Sequence, residues 1–308
     1  MYNNSIPLYF FPTSTAFLDD DPHFLENIKF QLKNPECIKI FNSYKKFEEY
    51  YQKHSSKIDA QCVELEDGYD DDSISVNVRL EKIKDVSKIK DKSNLLTGVV
   101  IDYNMPLLNG LEVIKLLPAS IYKILLTGVA DESIAIEAFN NRLINQFIKK
   151  QNNNIINQLN DQIKIVHEHY FLNESNKITS LIGEEFVRYS LINDEVYKQL
   201  WNSLVKKHDF IEGYIIDLSG SYLFYDRFGN NYCFVVQTEE QAEANIDIIP
   251  IEEFSDKVVN DIKQKRILYV PDSENFMLKS NILDAIKITN GSKIFYYGLG
   301  KNQYEPQS

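Results

Sequence analysis

Four apolar segments, far apart along the chain, each run directly into polar residues. The segments are Ala16-Phe17-Leu18, Val99-Val100-Ile101, Ile124-Leu125-Leu126 and Gln146-Phe147-Ile148, and they are followed by Asp19-Asp20, Asp102, Thr127 and Lys149-Lys150 respectively. Helical patterns alternate with them, which favours a doubly wound parallel sheet. In such an open sheet, ligands bind at the carboxyl ends of the strands. The sequence therefore predicts one site at this edge.

The residue types at these strand ends suit phosphoryl transfer to a carboxylate. Asp102 ends the central segment and is the candidate nucleophile. The carboxylates of Asp19 and Asp20 would repel that of Asp102 unless a cation lies among them. Hard oxygen ligands of this kind suit Mg²⁺, which keeps several of its own waters. We expect a divalent cation and a phosphoryl group to meet here.

At these residues the chain resembles the receiver domain of two-component response regulators. The resemblance covers about residues 14–151 and keeps the order of acid pair, aspartate, threonine and lysine, with the receiver's spacing from Asp102 through Thr127 to Lys150. Met105-Pro106 and Gly110 also match the loop that follows the family's phosphorylated aspartate.

The resemblance implies a role for each site residue. Lys150 would pair with a phosphoryl oxygen, and Asp102 would be the phosphoacceptor. Thr127 and Phe147 would be the switch residues, because the threonine hydroxyl would donate to the phosphoryl group. The implied Mg²⁺ ligands are Asp19, Asp20, Asp102 and the backbone carbonyl of Asn104.

Two features depart from the family pattern. Gln151 follows Lys150, where most receivers have a proline after a cis bond. A cis bond before a non-proline residue costs about 2.5–4 kcal/mol, so we expect a rearranged loop or a trans link. The chain between Phe41 and Val99 is also longer than one strand–helix–strand unit needs. We interpret the excess as a surface insertion or, alternatively, as a partner-binding surface.

The chain is expected to contain two domains joined by a helix. A receiver domain would occupy 1–151, with the insertion at about 54–97, and an α+β output domain with an antiparallel sheet would occupy 176–308. The spacing of Ile74, Val78 and Ile83 predicts an amphipathic helix in the insertion. The helix over 152–175 carries an apolar stripe, which could form a dimer or pack on its own domain.

Composition limits the class of partner. The chain has 308 residues and a net charge of −12, and its second half is the more acidic. Nucleic-acid-binding proteins usually display a basic face, so charge does not support a nucleic-acid partner. The sequence contains no apolar run long enough to cross a bilayer. Its three cysteines have no metal-ligand spacing and are expected to be free thiols in a reducing cytoplasm.

These patterns favour a cytoplasmic response regulator, a signalling switch rather than a metabolic enzyme. A histidine kinase would donate a phosphoryl group to Asp102, and phosphorylation would drive formation of a homodimer. Two other interpretations remain open. The receiver fold could act as a phosphorylation-independent scaffold, or the output domain could bind nucleic acid or a small molecule.

Overall fold

A computed structural model of the chain describes residues 5–55, 62–67, 74–128, 131–182, 190–271, 278, 280–291 and 293–302. The chain divides into two compact units. The first comprises residues 11–59 and 90–174, and the second comprises residues 2–10, 60–89 and 175–308.

The elements are numbered along the chain. The strands are β1 (Tyr9–Phe10), β2 (Ser14–Leu18), β3 (Ile38–Phe41), β4 (Val63–Asp67), β5 (Ile74–Val78), β6 (Leu96–Asp102), β7 (Tyr122–Thr127), β8 (Gln146–Lys149), β9 (Phe210–Ile215), β10 (Tyr222–Asp226), β11 (Asn231–Thr238), β12 (Ile267–Tyr269), β13 (Ile282–Asp284), β14 (Ile286–Asn290) and β15 (Lys293–Asn302). The helices are α1 (Pro22–Gln31), α2 (Tyr44–His54), α3 (Gly110–Leu116), α4 (Glu132–Asn140), α5 (Ile155–Ile182), α6 (Glu195–Lys207), α7 (Glu239–Asp247) and α8 (Asp256–Lys263).

The first unit is built on a five-stranded parallel sheet with the order β3-β2-β6-β7-β8. The chain order reverses between β2 and β6, which is the kind of switch point at which open parallel sheets bind ligands. Val99, Val100 and Ile101 of β6 are fully buried, as expected for a central strand covered on both faces. The predicted doubly wound sheet is confirmed.

Helices cover both faces of this sheet. One buried cluster contains Phe47 of α2, Val113 of α3 and Ala135 of α4. The other contains Leu25 of α1 and Leu159 of α5. Together these contacts bury the two sides of β6, whose successive residues point to opposite faces.

The apolar stripe of the connecting helix packs within its own unit. Leu159 and Val166 are buried in the cluster that also contains strand residues, and Ile155, Ile156 and Ile163 pack against it. Of the two interpretations of this stripe, packing on its own domain is the one that the structure supports. The helix is 28 residues long, and its residues up to Glu174 belong to the first unit.

The second unit is α+β, as predicted. Its six-stranded sheet has the order β1-β9-β10-β11-β15-β14, and all neighbouring strands are antiparallel. Strands β9, β10 and β11 form a meander within it, and the predicted antiparallel sheet is confirmed. Trp201 of α6 is fully buried and packs edge-on against Phe10 and Tyr222.

Two segments that the sequence division assigned to the receiver belong to the second unit. Residues 2–10 do so because β1 pairs with β9, with Tyr9 opposite Tyr214. In addition, the Leu8 N–H donates to Ser175 Oγ over 2.8 Å. Residues 60–89 join the same unit, in which Ile83 is fully buried.

The helix predicted through Ile74, Val78 and Ile83 is wrong. Ile74–Val78 is β5, which pairs antiparallel with β4, and a 3₁₀ helix covers Leu80–Lys88. The alternation of apolar and polar residues in Ile74–Val78 has the period of a strand, and β4 provides hydrogen-bond partners along one edge of it.

None of the helices in the described ranges is both long and apolar enough to cross a membrane. The described residues also contain no cis peptide bond, which agrees with the expected trans link after Lys150.

Candidate functional site

The sheet topology brings the predicted site residues to one edge of the first unit. Asp19 follows β2, Asp102 ends β6, Thr127 ends β7 and Lys150 follows β8. Because the four strands are parallel neighbours, their carboxyl ends share one side of the sheet.

Three carboxylates meet at this edge. Asp19 and Asp102 are buried, whereas Asp20 is exposed, and one oxygen from each lies within 4.8 Å of those of the other two. Such an arrangement of like charges is unfavourable without a compensating cation. Burial raises the pKa of Asp19, and its contacts with Lys150 and the Asp21 N–H only partly offset this effect.

Lys150 supplies the compensating charge in the structure. Its Nζ lies 2.7 Å from Asp19 Oδ2 and 2.9 Å from Asp102 Oδ2. Burial alone would lower the pKa of Lys150, but its contacts with the two carboxylates outweigh that effect and raise the pKa. The ammonium therefore stays charged at the place where a phosphoryl oxygen would need it.

The side chain of Asp19 is oriented by the residue that caps α1. The Asp21 N–H donates to Asp19 Oδ1 over 3.0 Å, which fixes the orientation of the buried carboxylate. Asp21 itself caps α1 by accepting from the N–H groups of His23 and Phe24. Pro22 occupies the first helical turn, where its missing N–H costs nothing. Asp21 is thus the N-cap residue of α1.

Thr127 has a buried hydroxyl that lacks a partner. Its side chain is fully buried, and Oγ1 makes no hydrogen bond within the described part of the chain. A buried polar group left unpaired costs about 1–3 kcal/mol. An acceptor that reaches Thr127 at this edge would remove that cost, and phosphoryl oxygens are strong acceptors.

Asn104 makes a contact that sequence reasoning missed. Its side-chain Nδ2 donates to Asp131 Oδ2 over 2.6 Å, and Asp131 is buried at the start of α4. The predicted role of Asn104 concerned its backbone carbonyl, which is a different group. No local pattern relates positions 104 and 131, so the hydrogen bond could be found only from the fold.

Phe147, the predicted switch aromatic, is half-buried on β8. Its ring packs edge-on against that of Phe139, with 6.4 Å between the ring centroids. Phe139 and Ile136 of α4 are each 45% exposed. A movement of Phe147 would therefore alter an apolar patch on the surface of the first unit.

The donor set at the edge fits a magnesium ion. Asp19, Asp20 and Asp102 offer carboxylate oxygens, which are hard ligands, and the exposure of Asp20 leaves room for retained waters. The described residues place no histidine or cysteine in this cluster, so its side-chain donors are all hard carboxylate oxygens, the ligands that suit Mg²⁺.

No family model matches the sequence, and no curated protein matches it. Among solved structures, a response regulator receiver domain protein from Clostridium thermocellum matches 50% of this chain and 98% of its own, with 18% identity and a TM-score of 0.30. The response regulator DrrB, a Thermotoga maritima OmpR/PhoB homolog, matches 51% of this chain and 54% of its own, with 17% identity and a TM-score of 0.32.

One solved structure matches almost end to end. The Legionella pneumophila response regulator LqsR covers 99% of this chain and 92% of its own, with 24% identity and a TM-score of 0.73. The chain has the fold of a response regulator. The first unit has the parallel sheet of a receiver domain, and the second unit is an α+β domain with an antiparallel sheet.

Proposed function

We propose that this protein is a cytoplasmic response regulator in a two-component phosphorelay. A histidine kinase donates a phosphoryl group to Asp102, and the protein acts as a switch rather than a metabolic enzyme. One observation carries the proposal: the buried carboxylate of Asp102 lies at a strand end beside two further carboxylates and 2.9 Å from the Lys150 ammonium.

The transfer makes a bond between a carboxylate oxygen of Asp102 and the phosphorus atom. The bond from phosphorus to the donor breaks, and its electron pair leaves with the donor atom. Lys150 keeps its proton and neutralises charge on an equatorial phosphoryl oxygen. The Thr127 hydroxyl then donates to another oxygen of the phosphorylated side chain.

Asp19, Asp20 and Asp102 would hold Mg²⁺, together with the backbone carbonyl of Asn104. When bound, the ion offsets the negative charge of the carboxylates and of the incoming phosphoryl group. Lys150, which pairs with Asp19 and Asp102 in the structure, is then available to the phosphoryl group.

Phosphorylation changes the surface formed by α4 and β8. A Thr127 hydroxyl drawn toward the phosphoryl group leaves space that the ring of Phe147 enters. Phe147 contacts Phe139, so its movement changes the exposed apolar surface formed by Phe139 and Ile136. A second phosphorylated copy covers this surface and forms the homodimer. A coupling free energy of about 1–3 kcal/mol between phosphorylation and dimer formation would suffice.

Intact-mass measurement tests the proposal. The protein is incubated with acetyl phosphate and Mg²⁺, and wild type should gain one phosphoryl group, whereas Asp102→Asn should gain none. Asp161→Asn, which changes an exposed carboxylate on α5, is the control and should label like wild type. Equal labelling of wild type and Asp102→Asn, or no labelling of wild type, would contradict the proposal.

A further inference from the structure

An aromatic ring lies against the ammonium of Lys150. The Nζ atom is 4.9 Å from the centroid of the Phe24 ring and lies over its face. The same Nζ contacts Asp19 and Asp102 at 2.7 and 2.9 Å. The ammonium therefore has three attractive neighbours, of which only the ring carries no formal charge.

The position of the ring is set by local structure. Phe24 lies in the first turn of α1, and its N–H donates to the capping carboxylate of Asp21 over 3.2 Å. Its side chain is half-buried and packs against the cluster that contains Leu25 and Ile28 of the same helix. The helix that orients Asp19 through Asp21 thus also presents the ring to Lys150.

The two kinds of neighbour differ in what happens to them during the reaction. Asp102 becomes an acyl phosphate, and Asp19 is a metal ligand in the proposed function. Both carboxylates are therefore withdrawn from Lys150 when the site is in use. The ring of Phe24 remains, and an aromatic face attracts a cation more strongly when the pair is shielded from water. The Lys150 side chain is only 23% exposed.

We propose that Phe24 is a positioning residue for phosphoryl transfer. Its ring face holds the Lys150 ammonium beside Asp102 while the carboxylates are engaged elsewhere. This inference rests on the proposed function of Asp102, and it adds a residue outside the acid pair, the threonine and the lysine that the receiver resemblance implies.

The step in which Phe24 acts is the transfer from a donor such as acetyl phosphate. A carboxylate oxygen of Asp102 bonds to phosphorus, the bond from phosphorus to acetate oxygen breaks, and acetate departs with the electron pair. Lys150 remains protonated throughout and contacts the transferred group. Phe24 touches neither the donor nor phosphorus and acts only through the position of the ammonium.

A series of fluorinated phenylalanines at position 24 tests the role of the ring face. Each fluorine weakens the attraction of the face for a cation, while the ring keeps its shape. We expect the initial rate of phosphorylation by acetyl phosphate and Mg²⁺ to fall step by step along the mono-, tri- and pentafluoro series. The expected total loss is about fivefold, the size of a partly desolvated cation–π contact.

Substitutions by standard amino acids and a matched control position complete the test. Phe24→Leu should slow labelling to the level of the pentafluoro protein, and Phe24→Tyr should restore most of the rate. The control is the same fluorinated series at Phe30, which lies on α1 and is 88% exposed, where the rate should not change. Thermal unfolding of every protein separates a loss of rate from a loss of fold.

The outcomes separate this inference from the proposed function. If wild type labels at Asp102 and the rate does not vary along the Phe24 series, the positioning role is overturned and the proposed function stands. An equal decline along the Phe30 series would also overturn it. If wild type does not label at all, both proposals fail.

Discussion

Gly110 lies directly against the backbone of Asp102. A β-carbon at position 110 would be 2.2 Å from the carbonyl oxygen of Asp102, a distance that real β-carbons do not adopt. The Gly110 N–H also donates to the carbonyl oxygen of Tyr103 over 3.0 Å. The first residue of α3 therefore closes the loop that follows Asp102, and only glycine fits there without a shift of backbone.

Gly110→Ala should destabilise the first unit, because the added methyl group must displace the backbone of Asp102 or the start of α3. Overpacking of this kind costs about 1–3 kcal/mol, to be measured as a loss of unfolding free energy in denaturant. Lys115→Ala, which changes an exposed side chain on the same helix, should cost less than about 0.5 kcal/mol. Equal stability of Gly110→Ala and wild type would show that the close approach is absent.

Thr127→Val should leave stability unchanged or raise it slightly. The hydroxyl that it removes is buried and makes no hydrogen bond with the described residues, so the substitution removes no hydrogen bond among them. The variant should still be phosphorylated on Asp102, but it should lose self-association. A loss of more than about 1 kcal/mol in urea unfolding would instead mean that the hydroxyl is structural.

Asp20→Ala should abolish stabilisation by Mg²⁺. Asp20 is an exposed member of the carboxylate cluster, and its removal relieves repulsion, so the melting temperature without metal should stay the same or rise. Wild type should melt at a higher temperature in Mg²⁺ than in EDTA, because a ligand of the folded state stabilises it. A large drop in the melting temperature of Asp20→Ala in EDTA would show that the acid pair is structural.

Phe139→Asp should prevent phosphorylation-dependent self-association, because it places a charge on the exposed patch beside Phe147. Light scattering over a concentration series, with and without acetyl phosphate, measures the effect. Phe30→Asp changes a more exposed aromatic on α1 and should associate like wild type. If phosphorylated and unmodified wild type have the same molar mass in solution and the same dissociation constant for self-association, phosphorylation does not act through dimerisation.

The placement of four candidate site residues at one edge of the sheet could be predicted from sequence because each of them ends or follows a short apolar strand. Asp19, Asp102, Thr127 and Lys150 follow segments with a clear strand pattern, and parallel topology then places their side chains on one edge. The meander of the second unit was predictable for the same reason, since strands and turns alternate over short distances.

The features that sequence reasoning missed depend on contacts between distant residues. Tyr9–Phe10 pairs with β9, and nothing near position 9 indicates a partner some two hundred residues away. The hydrogen bond between Asn104 and Asp131 is of the same kind. The strand over Ile74–Val78 is different, because the sequence carries both the alternation of a strand and a helical spacing that runs on to Ile83.

The most direct test of the account is to locate the phosphoryl group. After incubation with acetyl phosphate and Mg²⁺, the protein is treated with borohydride, whose hydride reduces an acyl phosphate to the corresponding alcohol and releases phosphate. Peptide mass spectrometry should then find homoserine in place of aspartate at Asp102, in wild type only when the phosphodonor is present. Homoserine at Asp19, Asp20 or another carboxylate, with Asp102 unchanged, would contradict the assignment of Asp102 as the phosphoacceptor.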